Sequence, residues 1–415
     1  MSPLAPRSWS ALSDLALLAF VVTLLEAGLD VLPDEPLWWV ITPLRVVVAG
    51  GVVCGLLSLG VQGQRWPRLA TSLHGAVALL VLVALATTVR TGHDPALLRG
   101  LLTRIGAYLL AALVGRARPD LWPALGVPVL AVVAAASGVA VRQVALGQTT
   151  GFCRSSLLAV DESCTAAGAV VRATGTFANP NLLAAMLVLL LPMCVLVVVG
   201  LPPGTTRLMG VCLLALGYLA LLLTMSRAGL LAAMVGIVAL VVLHRPTARL
   251  VAGAVVAAAV LGLLAAAAVL VGGGTLRRGG VWDAAVQAAR ADPLGHGLGR
   301  AGTEVSERVP GGTAYAHAHS TWLDWLVDAG VPGLLAALAL ALAVAALVLR
   351  LARRGSPAAV GLGAGLAAFA VVSVADDPTQ ASRFALLLWL VIGWVVGIGD
   401  PRRRAADLAE PRHAR

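Results

Sequence analysis

Residues 178–200 read ANPNLLAAMLVLLLPMCVLVVVG, a run with no charged side chain. A helix rises 1.5 Å per residue, so a run of this length crosses about 30 Å of hydrocarbon. Working outward from it with a window of about 19 residues, apolar blocks of similar length recur. They fall at 11–29, 38–60, 70–89, 97–115, 122–141, 178–200, 207–224, 228–243, 250–271, 320–350, 357–375 and 383–399. The spacing predicts an all-α, polytopic integral membrane helix bundle of about 12 transmembrane helices. Residues 1–400 form a single membrane domain in this reading, and 401–415 a basic cytoplasmic tail.

Two of these blocks carry internal punctuation. Only Thr224, Met225, Ser226 and Arg227 separate 207–224 from 228–243. The block at 320–350 exceeds one span, and Gly330, Pro332 and Gly333 predict a bend after an initial interfacial helix. The first block, 11–29, is too long for a signal-peptide core and lacks a small-residue cleavage pattern after it. It is expected to remain as a helix.

Composition points the same way. Of 415 residues, 59% are hydrophobic and 12% charged, about half the charge of an ordinary soluble domain. That excludes a soluble enzyme, a nucleic-acid module or a disordered scaffold. The net charge of +10 comes from 30 basic residues that are all Arg, a bias that a GC-rich genome produces. Each basic site is therefore a planar fork suited to phosphate or carboxylate, and none can serve as a lysine base.

The positive-inside rule sets the orientation. Arg402, Arg403 and Arg404 form the densest basic cluster, which puts both termini in the cytoplasm, since the number of spans is even. Asp30, Asp34, Glu35, Asp376 and Asp377 then fall on outer connections. Trp9, Trp38, Trp39, Trp66 and Trp122 lie at span ends as an aromatic belt. Two longer loops, about 142–177 and 272–319, are extracytoplasmic, and both carry arginine against the bias. Either loops of this length escape the rule, or an anionic ligand binds there. Cys153 and Cys164 share the first loop and are expected to form a disulfide if it faces an oxidising compartment. Cys54, Cys194 and Cys212 lie inside apolar segments, where small buried thiols are common.

Candidate chemistry gathers around the second loop. It closes on His317-Ala318-His319-Ser320-Thr321-Trp322, where the chain re-enters the membrane. Histidine titrates near neutrality and suits proton transfer, although a capping or interfacial role is the plainer alternative. The i, i+2 spacing and the lack of a Cys or Glu cluster argue against a metal site. Arg227 interrupts apolar sequence, either snorkelling to headgroups behind a Ser226 N-cap or facing a ligand. Arg45 and Arg104 lie within spans, where a cation faces a cavity or a partner such as Glu26. Unpaired cations opening to the outer leaflet point to an anionic lipid headgroup.

Four blocks in order resemble the O-antigen ligase and polymerase family of polytopic glycosyltransferases. They are Arg172-Ala-Thr-Gly-Thr-Phe-Ala-Asn-Pro-Asn181 and Ser226-Arg227-Ala-Gly. Next comes Arg278 four residues before Trp282, followed by Asp292-Pro-Leu-Gly-His-Gly-Leu-Gly. The last is His319-Ser-Thr-Trp-Leu with Asp328-Ala-Gly-Val-Pro-Gly333. Together they cover about 170–335. The family often has His-Asn where this chain has His319-Ser320, and Glu in place of Asp328.

The resemblance implies an undecaprenyl-diphosphate-linked glycan donor used at the outer face of the bacterial cytoplasmic membrane. The acceptor would be a glycan, glycolipid or protein, with membrane lipids as further partners and no cofactor, metal or nucleic acid. On that reading Arg227 and Arg278, with Arg172 as a third, bind the lipid diphosphate, and His319 is the general base. His317, Arg300, Arg104 and Arg45 are possible additional site residues. Three rivals stay open, one of them a non-enzymatic membrane anchor or assembly partner, which would leave the outer arginines and His319 without convergent positions. A transporter or lipid-linked glycan flippase would show matching halves, and none is visible. A shape–elongation–division peptidoglycan polymerase would use a carboxylate such as Asp283 or Asp292.

Overall fold

A computed structural model describes residues 6–38, 41–61, 72–92, 96–117, 122–157, 159, 161–244, 274–311 and 314–398. The span expected at 250–271 and the basic tail 401–415 lie outside the described residues. The chain is an all-α membrane bundle. Its first five helices are α1 (Pro6–Leu29), α2 (Pro43–Val61), α3 (Ser72–Thr91), α4 (Ala96–Ala117) and α5 (Trp122–Ala145). A two-residue hairpin, β1 (Cys153–Arg154) with β2 (Val170–Val171), then leads into α6 (Pro180–Gly200), α7 (Thr205–Leu223) and α8 (Arg227–His244). The second loop folds as α9 (Gly274–Ala291) and α10 (Ala301–Arg308), and α11 (Thr321–Asp328) follows. Three more helices, α12 (Gly330–Arg353), α13 (Pro357–Ala375) and α14 (Ser382–Ile398), complete the described chain.

Among the described residues, ten helices are long and apolar enough to cross a membrane, and α14 is a shorter apolar helix. The most apolar of them, α6, sits in the middle, packed by α5, α7, α8 and α13. Its start is specified locally: Pro180 occupies the first turn and the Asn179 side chain accepts the Asn181 N–H at 2.7 Å, a standard N-cap. Small residues let the helices approach, as lipid-embedded packing requires. A Cβ added to Gly361 would stand 3.0 Å from Met193 Cα, and one added to Gly365 would collide with the Leu189 carbonyl. Gly393 of α14 meets the Tyr108 carbonyl of α4 in the same way.

The helix ends that bear the loops converge at one end of the bundle. Thr176 Oγ1 donates to the Gly28 carbonyl at 2.6 Å, and Arg383 Nη1 donates to the Thr176 carbonyl at 2.8 Å while lying 3.2 Å from Asp30. Arg90, at the end of α3, pairs with Asp292 at 3.1 Å. Both longer loops are therefore on the same face. Residues 281–327 carry a small core of their own, in which Val281, Ala285, Ala288, Val305, Ala318 and Val327 are buried together. The expected bend appears between α11 and α12, where Gly330 adopts φ 67°. There Gly295 and Gly330 abut each other's backbone so closely that neither leaves room for a side chain.

Candidate active site

The site begins with the turn between α7 and α8. Met225 takes φ 49°, a left-handed conformation that costs a non-glycine residue about 1–3 kcal/mol unless the surroundings impose it. Ser226 Oγ accepts the Gly229 N–H at 3.3 Å and caps α8. Arg227 is thereby set at the first position of the helix. Among the described residues its guanidinium makes no hydrogen bond or ion pair, and the strongest charges acting on it are Arg154 and Arg278.

Arg172 is placed differently. It is 1% exposed, and all three of its nitrogens are engaged. Nε donates to the Thr224 carbonyl at 2.9 Å, Nη1 to Asp161 at 2.7 Å and Nη2 to Asn181 Oδ1 at 3.1 Å. Asp161 also accepts from Arg154 Nε at 2.7 Å. Burial pushes the Asp161 carboxyl up, but Arg172 and Arg154 outweigh it and hold it below the usual carboxylate range. Burial likewise lowers Arg172, with Asp161 opposing, yet a guanidinium this basic stays charged.

Asn181 continues the line. Its Nδ2 donates to Asp376 Oδ2 at 3.0 Å, so a continuous series of polar contacts runs Arg154, Asp161, Arg172, Asn181, Asp376. At the far end lie both histidines. Asp376 Oδ1 is 3.6 Å from His319 Nδ1 and 3.7 Å from His317 Nε2. Arg278 Nη1 donates to the adjacent Ala375 carbonyl at 2.6 Å. Burial favours the neutral form of Asp376, but His319, His317 and Arg278 together keep it below the ordinary carboxylate range. A buried carboxylate surrounded by cations and imidazoles orients whatever it faces.

His319 itself is held in an uncommon backbone state, φ 54°, with its N–H donated to His317 Nδ1 at 3.0 Å. The two rings meet edge to face at 4.5 Å between centroids. That donation requires a lone pair on His317 Nδ1. Burial supplies the bias, lowering His317 further than Asp376 raises it. His319 Nδ1 is buried without a hydrogen bond among the described residues and lies 3.6 Å from Asp376 Oδ1, beyond hydrogen-bond distance.

Below this line the segment is braced by two carboxyl groups. Asp324 Oδ1 accepts the Ala318 N–H at 2.8 Å. Asp377 Oδ1 accepts Thr321 Oγ1 at 2.8 Å and the Thr379 N–H at 3.0 Å. Burial, reinforced by the Asp377 carboxylate beside it, pushes Asp324 up to about 10. The folded protein therefore keeps a proton that the unfolded chain loses near pH 4, and stability falls as pH rises across that window toward 10. Asp324→Asn preserves shape and neutrality. It is expected to flatten the decline in thermal midpoint between pH 6 and pH 10, and an unaltered slope would assign the decline elsewhere. Asp328, buried and pushed up to about 7, accepts the N–H groups of Gly299 and Ala301 at 2.7 Å each and so pins the glycine-rich turn.

The remaining expected residues are more distant from this line. Arg104 lines an apolar cavity of about 440 Å³ beside Thr321, Trp322, Trp325 and Trp389, with Asp377 as the carboxylate acting on it. Arg45 Nε donates to Thr103 Oγ1 at 3.4 Å. Arg300 pairs with Glu304 at 3.6 Å, in a cluster with Arg308 and His296. Cys153 and Cys164 are joined in a disulfide. Thus Arg172, Arg227, Arg278, His317 and His319 come together, whereas Arg45 and Arg300 make their contacts elsewhere. Arg154, Asp161, Asn181 and Asp376 complete the arrangement, and sequence reasoning did not assign them. The sequence signals were Asn181 at the end of the first of the four blocks, Arg154 among the arginines of an outer loop, and the pair Asp376-Asp377 directly after a span. Of the acids considered for a carboxylate mechanism, Asp292 is engaged by Arg90 and Asp283 is exposed.

His317, His319 and Asp376 each bring a ligand atom within 4.8 Å of the others, a spacing that would admit a cation. Arg278 works against one, since its charge acts on both His317 and Asp376.

Residues 210–338 match the family model described as O-Antigen ligase. The match contains Arg227, Arg278, His317 and His319 and leaves out Arg172, Asn181 and Asp376. No curated protein matches the chain.

Proposed function

From the premise that residues 210–338 of this multi-pass membrane protein match the O-antigen ligase family model, we propose that it transfers or polymerises an undecaprenyl-diphosphate-linked oligosaccharide. The reaction takes place at the outer face of the bacterial cytoplasmic membrane, in cell-surface polysaccharide assembly. The observation that carries this reading is the line of hydrogen bonds from Arg154 and Arg172 through Asn181 to Asp376, which ends 3.6 Å from His319 Nδ1.

Charge supports it. Among the described residues, the charges of Arg154, Arg172, Arg227 and Arg278 act around the carboxylates of Asp161, Asp376 and Asp377. The surplus of positive charge suits a lipid diphosphate. Arg227 and Arg278 are the contacting forks, and Arg172, with every nitrogen engaged, holds them in register with His319. The apolar cavity beginning at Thr321 receives the hydrocarbon of the carrier, with Arg104 along its wall.

The chemistry follows from that placement. The acceptor hydroxyl attacks the anomeric carbon as His319 removes its proton, and Asp376 stabilises the imidazolium that forms. A bond forms between the acceptor oxygen and the anomeric carbon while the bond from that carbon to the phosphate oxygen breaks. The diphosphate leaves with the electron pair, stabilised by guanidinium groups placed before the charge develops. Attack opposite the leaving group inverts the centre. The cations already present do what a divalent metal would do, so the reaction is metal-independent.

The test is transfer by the purified protein, reconstituted with lipid-linked oligosaccharide and an acceptor, with and without EDTA. Consumption of the donor at an unchanged rate in chelator is expected. No transfer overturns the reading, and loss of transfer in EDTA overturns its metal-independence. Longer chains left on the carrier identify polymerisation; glycan moved off the carrier identifies ligation.

A further inference from the structure

The turn that presents Arg227 does not stand alone. Three successive carbonyls, those of Leu223, Thr224 and Met225, are each capped from the loop before α6. The Ala173 N–H donates to the first at 2.9 Å, Arg172 Nε to the second at 2.9 Å and Arg154 Nη1 to the third at 3.0 Å. Met225, the residue in the left-handed conformation, is therefore gripped by Arg154.

Arg154 is in turn fixed from two sides. It follows Cys153, which is fully buried and bonded to Cys164, and its Nε is held by Asp161 inside the same disulfide-closed loop. The Glu162 N–H donates to the Cys153 carbonyl at 2.9 Å, and the Arg172 N–H to the Phe152 carbonyl at 2.9 Å. The bond thus closes a loop of ten intervening residues that holds both the cation gripping the turn and the carboxylate orienting that cation.

We propose that the disulfide-closed segment 153–164 is a positioning clamp for Arg227. Acting through Arg154, it makes diphosphate binding depend on the Cys153–Cys164 bond. The inference rests on the reading of Arg227 given above. Arg154 is a positioning residue, since its Nε and Nη1 are spent on Asp161 and Met225. A protein that has not yet acquired this disulfide would carry the arginines but present them poorly, which confines donor binding to the compartment where thiols are oxidised.

Calorimetric titration of the purified full-length protein in detergent with farnesyl diphosphate tests this. Arg154→Gln is expected to weaken binding about tenfold, and Arg154→Lys, which can still reach one acceptor, by less. Arg227→Ala weakens it at least as much. The deciding measurement is the double variant: adding R154Q to R227A should cost less than about a further twofold, because both changes remove one contact. The C153S/C164S pair, or the unsubstituted protein treated with a phosphine reductant, should match R154Q. Binding by R154Q or by C153S/C164S equal to that of the unsubstituted protein overturns the clamp. So does a double variant in which the two losses multiply. If the unsubstituted protein fails to bind farnesyl diphosphate, the diphosphate reading of the site falls, and the clamp falls with it.

Discussion

His319→Ala is expected to lower glycan transfer by about 10²–10⁴-fold, the range a positioned general base supplies, while the protein still inserts, folds and binds the lipid diphosphate. The separation follows from geometry. The ring of His319 is a third exposed and its Nδ1 makes no hydrogen bond among the described residues, so truncation breaks none of the described hydrogen bonds. The N–H that pairs with His317 belongs to the backbone and survives. Asp376 loses a neighbour but keeps the Asn181 amide and the field of Arg278. Asp376→Asn should also reduce transfer, since the imidazolium would form without its counter-charge, but by less than loss of the ring. Membrane-fraction yield, thermal midpoint and initial transfer rate measured on the same preparations decide the matter. Transfer within about threefold of the unsubstituted protein would remove His319 as the base, whatever else the site does.

The bundle was legible in the sequence because a hydrocarbon slab imposes length directly. Blocks of about 20 apolar residues are a constraint that a single chain displays without reference to its neighbours. Even the breaks could be read. Thr224 to Arg227 ends one helix and caps the next, and Gly330 turns α11 into α12. The cations and the imidazole of the candidate site were legible for a related reason: charge inside or beside apolar sequence is costly and stands out.

Their partners were not legible in the same way. Asn181 and Asp376 lie 195 residues apart, and only the packing of α6 against α13 brings them together. Asp161 resembles any loop acid until Arg154 and Arg172 are seen on either side of it. Arg300 has the opposite history. Its partner Glu304 is one helical turn away, a local spacing that the sequence carries and that accounts for its charge without a ligand.

Arg172 and Arg227 come from two adjacent blocks of one motif set, yet their replacement should fail in different ways. Arg227→Ala removes a fork with no hydrogen bond or ion pair among the described residues, so the thermal midpoint should hardly move. Transfer should drop about 10²–10³-fold, the usual cost of deleting one donor aimed at developing charge. Arg172→Ala removes a buried cation whose three nitrogens hold Asp161, Asn181 and the Thr224 carbonyl together. Asp161 is half-exposed, so the ion pair alone contributes little. Leaving the buried Thr224 carbonyl without its donor, however, costs about 1–3 kcal/mol, and the line to Asp376 breaks with it. That variant should lose stability first and activity as a consequence. Acid adds a second signature. Asp161 is held below its ordinary range, so its contribution is present at neutral pH and fades as pH falls toward the lowered value; without Arg172 that acid sensitivity should shrink. Thermal midpoints at pH 7 and pH 3, measured beside transfer rates, separate the two arginines. Equal destabilisation by both would make Arg227 a structural residue. A fully stable Arg172→Ala protein with weakened donor binding would place Arg172 on the phosphate itself.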